Sequence, residues 1–460
     1  MRKRPFIPVQ GVSNIELFYD LIFVYCISVI TSLCHHVEGD FLSMDVWVTY
    51  MFSFAVVLQV WFFTTFLLNR YGDRSVSDNV CLFINMFLLY FLASGIQVDW
   101  RNSAFTFNLS WGLILFNLLV HWLIKRFLYN NLDKDDKSIM TGAAIVLGIQ
   151  CVIVLIAAFL PEGPNAIASW VGLLFGGAIF VQVRTYRRKH SNFGHLVERC
   201  SLLVIVAFGE TIVAISAYMT TTTTLLFPVL VFALVVGLFL IYIYERDNMT
   251  DHNKTTDGMG YLTITGWVIM VIGNLTVALE FMPDDEIAFI PKSAYLTICL
   301  VLYLLTSFVL GLFNKPEFKY SVPYIAGRLA ACAAIVIVAI TTSFNPLINL
   351  VFDTITVYAS LWHEWFLYRS RSCFVAFGHT LGMTYEELKG QELTPAMRDD
   401  LRSFARSRRN NQSADESEAD GGADEASEVA EAPLDEAKVK APTPQEASSP
   451  MHPSNEQAAE

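Results

Sequence analysis

Glu16 and Asp20 stand four residues apart at the start of the first apolar run, NIELFYDLIFVYCISVITSLCHHVEG. On a helix that spacing puts both carboxylates on one face. An acid inside a membrane span costs about 2.5–3.5 kcal/mol on insertion scales, so it faces a partner, the bundle interior or water. Proton and cation paths are built from such groups. Glu16 also sits where an acid stabilises a helix N-terminus, by a few tenths to about 1 kcal/mol. A second stretch, HLVERCSLLVIVAFGETIVAIS over 195–216, places His195 and Glu198 three residues apart on one face, with Arg199 adjacent. Glu210 follows Glu198 by twelve residues, about 18 Å deeper by helical rise. A carboxyl there is either a hydrogen-bonded link between helices or a proton or cation site.

Other apolar runs carry Asn85, His121, Arg328 and Asp353. Arg328 needs a carboxylate, and Glu16, Asp20 and Glu198 are the candidates. The expected arrangement is a convergence of Glu16, Asp20, His195 and Glu198 with Arg328 as counter-charge, and a second layer holding Glu210 and Asp353. A polar packing core would account for the same residues. His35 and His36 are neighbours whose side chains point about 100° apart on a helix, which suits a wetted loop better than a shared metal ion.

The elements that must position these groups are membrane helices. The chain of 460 residues is 54% hydrophobic and 16% charged, against about 25% charged in soluble domains. Twelve apolar runs fall at roughly 15–34, 46–68, 80–96, 103–127, 139–160, 167–183, 196–218, 225–244, 260–281, 293–313, 321–342 and 347–367. About 20 helical residues cross the hydrocarbon core, and unpaired backbone groups are not tolerated in lipid. The expected fold is therefore an all-α polytopic transmembrane bundle of about twelve spans. The basic start, MRKRPFIPVQG, leads into a run too long for a signal core and lacking a small-residue cleavage site, so the first span is expected to be retained. Eight cysteines with no CxxC pair argue against a disulfide framework or zinc cluster.

Lys and Arg favour cytoplasmic loops. With the N-terminus inside, seventeen basic residues before the tail fall on inner segments and only Arg101 and Lys292 on outer ones. Both termini are then cytoplasmic. The domain reading is a basic N-terminus over 1–14, a six-span half over 15–190, a second over 191–370, an amphipathic segment over 371–412, and an acidic tail over 413–460. The tail holds thirteen acids against two lysines and so supplies nearly all of the net charge of −12; its composition predicts disorder. A shift of 182 residues lays the first six runs on the last six, with Glu16 on Glu198 and Tyr186-Arg187 on Tyr368-Arg369. An even number of spans per unit makes these parallel repeats.

Glu16-Leu-Phe-Tyr-Asp20-Leu-Ile-Phe-Val with a following His35-His36, then His195-x-x-Glu198-Arg199 and Gly209-Glu210, resemble the bacterial low temperature requirement protein A family. The resemblance covers roughly residues 10–380. Cys200-Ser201 stands where members usually have an aromatic and a glycine. The resemblance implies a polytopic membrane protein linked to growth in the cold and no settled biochemical activity. Phe18-Tyr19-Asp20 also resembles the Phe-Ser-Asp motif that opens the first span of a potassium channel family with six-span repeats, although Tyr replaces Ser here and Leu202 stands in the second repeat.

No Walker loop, GxGxxG or HExxH is present, which leaves an ATP-driven pump or membrane protease without support. Four functions fit: a proton-linked solute transporter, a cation channel, an intramembrane metal-dependent enzyme using His195 and Glu198, and a membrane scaffold. The first is the favoured expectation, with membrane lipids and a small solute or ion as partners, no cofactor and no nucleic acid.

Overall fold

The computed structural model describes residues 11–35, 37–38, 41–128, 134–177, 192–216, 226–284, 287–315, 318, 320–342, 344–380 and 403. Twelve α-helices run through them: α1 (Asn14–Ser32), α2 (Met44–Tyr71), α3 (Val76–Ser94), α4 (Trp100–Leu128), α5 (Lys134–Ala158), α6 (Pro164–Gly176), α7 (Phe193–Ser216), α8 (Leu226–Tyr244), α9 (Met259–Phe281), α10 (Phe289–Leu310), α11 (Val322–Thr341) and α12 (Pro346–Thr380). A two-stranded hairpin, β1 (Val37–Glu38) and β2 (Phe41–Leu42), links α1 to α2. The described residues through Ala376 belong to one compact unit. The acidic tail and His36 lie outside the described residues, as does all of the 371–412 segment beyond Thr380 except Ser403.

The all-α polytopic expectation holds in its coarse form. Among the described residues, ten helices are long and apolar enough to cross a membrane. α6 has only thirteen described residues, and α12 is diluted by Asn349, Asp353, His363 and Glu364. α12 also continues to Thr380 with no break at residue 370.

Local sequence sets the helix starts. Ser13, Ser43, Ser75 and Ser321 each accept a backbone N–H of the first turn, satisfying donors that have no partner inside the helix. At α1 the cap is reciprocal: Ser13 Oγ accepts from Glu16 N–H at 3.2 Å, and Glu16 Oε2 accepts from Ser13 N–H at 2.9 Å. α2 and α9 are apolar around most of their circumference and lie innermost. Their most apolar windows are 83% and 78% buried, against 33–61% for the other spans. A helix that is hydrophobic all round is one enclosed by others. α1 and α7 pack against each other and against both of these helices.

Close approach is visible at Gly95, the residue after α3, where a Cβ would lie 2.7 Å from the backbone nitrogen of Phe107 in α4. Backbone cannot rotate away as a side chain can. Gly95→Ala is expected to destabilise the protein by about 1–3 kcal/mol, the usual range for overpacking. Thermal unfolding of the purified variant checks this, and an unchanged midpoint would show that α3 and α4 can separate there at little cost.

Candidate functional site

Asp20 and Arg199 form the centre of a buried polar site between α1, α2 and α7. Asp20 is 2% exposed and Arg199 0%. The contact is bidentate: Arg199 Nη2 donates to Asp20 Oδ1 at 3.1 Å, and Arg199 Nε to Oδ2 at 3.3 Å. Trp61 Nε1 of α2 adds a third donor to Oδ1 at 2.9 Å. The guanidinium lies 5.9 Å from the Tyr19 ring centroid and 6.0 Å from that of Trp61, within cation–π range. Tyr19 is held by its hydroxyl's 3.1 Å contact to Thr64 Oγ1.

One helical turn toward the end at which α1 begins, Glu16 and His195 form a second rung. His195 Nε2 is 3.5 Å from Glu16 Oε2, the same oxygen that caps α1. His195 Nδ1 faces Asn69 Nδ2 at 3.3 Å, and that amide donates to Asn192 O at 2.9 Å. Glu16 and Asp20 are four apart on α1, and His195 and Arg199 four apart on α7, so two facing i,i+4 stripes make a two-rung ladder. Arg199 Nη1 is buried and has no hydrogen-bond partner among the described residues, leaving one charged donor unused at the centre of the ladder.

A family model described as bacterial low temperature requirement A protein (LtrA) matches residues 11–360. The chain belongs to the LtrA family. No curated protein and no solved structure matches it. The match in this LtrA-family member covers both rungs of the ladder and every helix that builds them.

The remaining candidate residues distribute as follows. Glu198 is adjacent to Arg199 and therefore rotated away from α1; it faces the N-terminal segment, with Oε1 3.6 Å from where a Cβ would stand at Gly11. Glu210 is buried on α7. Beside it Thr211 and Thr276 hydroxyls meet at 2.7 Å, joining α7 to α9. This second polar layer thus lies on the helices of the ladder, separated from it by buried apolar side chains including Phe23, Ile27, Leu203 and Val204. Asp353 is buried in α12, and its Oδ2 has no hydrogen-bond partner among the described residues. Asn85 accepts from Asn117 Nδ2 of α4 at 2.8 Å, a link between α3 and α4.

Arg328 departs from the arrangement expected of it. It does not meet Glu16, Asp20 or Glu198. It bonds the carboxylates of Glu245 and Glu364 and approaches Tyr324. Arg199, nearer along α7, takes the place beside Asp20.

Three sets of buried partners have no mark in the apolar pattern. Trp61 reads as a core aromatic. Glu245 and Glu364 read as polar span ends. Asp78 and Lys125 read as loop charges, yet both are buried: Lys125 Nζ lies 2.5 Å from Asp78 Oδ1 and 2.7 Å from Asp73 Oδ1, while His121 Nε2 is 2.7 Å from Asp78 Oδ1. This clamp ties α3 to α4. The one sequence cue for these groups is His121, a lone imidazole in an apolar run. Among the described residues, no group of three His, Cys, Asp or Glu side chains is placed to hold a metal ion.

Proposed function

We propose that this LtrA-family protein is a proton-linked transporter of a small solute or ion, with Glu16, Asp20, His195 and Arg199 as its binding site and Glu210 as the group that exchanges the proton. The carrying observation is the Asp20–Arg199 pair, buried and bidentate, with one guanidinium N–H group left without a partner among the described residues. Sequestering two charges costs several kcal/mol per ion, so such a pair is poor glue and is retained where function requires it. The free donor suits an acceptor-bearing solute once α1 and α7 part. Apolar packing between the two polar layers favours alternating access over an open pore.

Two parallel halves are supported by the order of the helices: α1 to α6 and α7 to α12 follow one another with similar spacing, and Glu16 aligns with Glu198. Asp353 and Asn85 complete the polar set of the proposed path. The binding site then opens at the cytoplasmic end, where the basic loops gather. Single cysteines at Asp133 and Ser191, on a background lacking native cysteines, should react with a membrane-impermeant thiol reagent in inverted vesicles and not in intact cells. Labelling of intact cells at either position would invert the map.

The functional test is flux in liposomes across a panel of ions and metabolites at several pH values. Wild-type protein should give saturable, pH-linked flux. Asp20→Asn should abolish flux, and Glu210→Gln should keep folding while removing its pH dependence. Non-saturating conductance would favour a channel, and full pH dependence in well-folded Glu210→Gln would reduce Glu210 to a link between helices.

A further inference from the structure

We propose that Glu245 and Glu364 hold one proton between them beside Arg328, forming a proton-binding site separate from the Asp20–Arg199 ladder. The site joins the end of α8, the start of α11 and the later part of α12. Arg328, Glu245 and Glu364 are all buried, at 2%, 6% and 2% exposure. One guanidinium nitrogen, Arg328 Nη2, is shared by an oxygen from each carboxyl. Tyr324 donates to Glu245 Oε1 at 3.0 Å. With one oxygen of each on the same nitrogen, the two carboxyl groups stand side by side.

Two carboxyl oxygens held against one guanidinium nitrogen lie close together, and that closeness is favourable only if one group is a carboxylic acid. Charge balance demands the same. A single arginine neutralises a single carboxylate, and a second negative charge in a buried apolar setting would be uncompensated. Around the cluster stand phenols: Tyr244 on α8, Tyr261 on α9, Tyr303 on α10, and Tyr320, Tyr324 and Tyr368. A phenol is neutral at physiological pH, so none replaces the missing cation. His363 packs against Gly327 of α11 and forms no ion pair with either acid among the described residues. Arg246, next to Glu245 in the chain, is engaged by Asp247 at 2.9 Å. Glu245 Oε2 and Glu364 Oε2 have no other partner among the described residues, and Arg328 Nε and Nη1 are likewise unpaired there. The cluster therefore has unused capacity on both its acidic and its basic side, unlike a saturated structural ion pair.

Glu245 opens a π-helical turn, Glu245–Met249, closed by the Thr250 N–H bond to Glu245 O at 3.1 Å. The turn ends α8, with Thr250 extended at its C-cap. Its first residue, Glu245, meets Tyr324 and Arg328 of α11. A proton arriving converts the pair from two carboxylates to an acid–carboxylate pair, and its departure leaves a net negative site.

The test is infrared spectroscopy of the full-length protein reconstituted in lipid, and it is independent of any transport activity. Wild-type minus E245Q and wild-type minus E364Q spectra at neutral pH should each contain one carboxylic acid C=O band at the same frequency, shifted in D2O. Either substitution leaves a single carboxyl, which Arg328 holds as carboxylate, so either one abolishes the band. Difference spectra containing only carboxylate bands would overturn the proposal, as would loss of the acid band in one variant alone. E245D and E364D keep both carboxyls and serve if a glutamine variant fails to fold. Each should move the band, and an unmoved band in both would also overturn the shared proton.

Discussion

Arg199→Leu is expected to cost about 3–5 kcal/mol of stability, the usual penalty for leaving one member of a buried ion pair uncompensated. Asp20 would keep only the Trp61 N–H, in a site with no access to water. Asp20→Asn should be comparably costly, because it strands the Arg199 guanidinium, which cannot shed its charge, although the amide can still accept from Trp61. The double variant Asp20→Asn/Arg199→Leu should be more stable than the sum of the singles predicts. Arg199→Lys keeps the charge but loses the two-pronged geometry and should fall between wild type and Arg199→Leu. Thermal or denaturant unfolding of the purified proteins in detergent supplies the cycle. Simple additivity would mean that the contact contributes no coupling.

Arg328→Leu should be comparably damaging, at about 3–5 kcal/mol, for a different reason. It leaves two carboxyl groups in contact with no cation, where wild type has one charge compensated. A second change to either acid should therefore restore part of the loss. The expected order of melting is wild type, then Arg328→Leu/Glu364→Gln, then Arg328→Leu alone. If the double variant melts below Arg328→Leu, the carboxyls are held by groups other than Arg328. The same order is expected with Glu245→Gln as the second change, since both acids bond the same nitrogen.

Part of the site is legible in the sequence. The i,i+4 spacing of Glu16 and Asp20 implies a shared face from helix geometry alone, and the ladder uses both residues. The 195–199 stretch supplies the opposite rungs. Spacing does not decide between neighbours: Glu198 and Arg199 differ by about 100° around α7, and only one can face α1. The apolar pattern of a helix buried on several sides is nearly isotropic, so hydropathy carries no phase to settle the choice. A buried arginine such as Arg328 requires an acid, but nothing in the chain says that its acids stand outside the helices marked by motifs. Glu245 and Glu364 escape notice because a carboxylate at the polar end of an apolar run looks solvated.

Sequence by itself determined the class of the protein, the helical form of its spans and the presence of charges that must be compensated inside them. These follow from transfer energies and backbone hydrogen bonding, which act on each segment regardless of its neighbours. Capping is local as well, since Ser13 and Glu16 lie three residues apart in the chain. Tertiary structure alone decided which cation meets which acid: Arg199 with Asp20, Arg328 with Glu245 and Glu364, Lys125 with Asp73 and Asp78. Those pairings depend on the rotation of each helix about its axis. Rotation is set by side-chain interlock between helices far apart in sequence, as where α1 meets α7 across 179 residues, and no single segment encodes it.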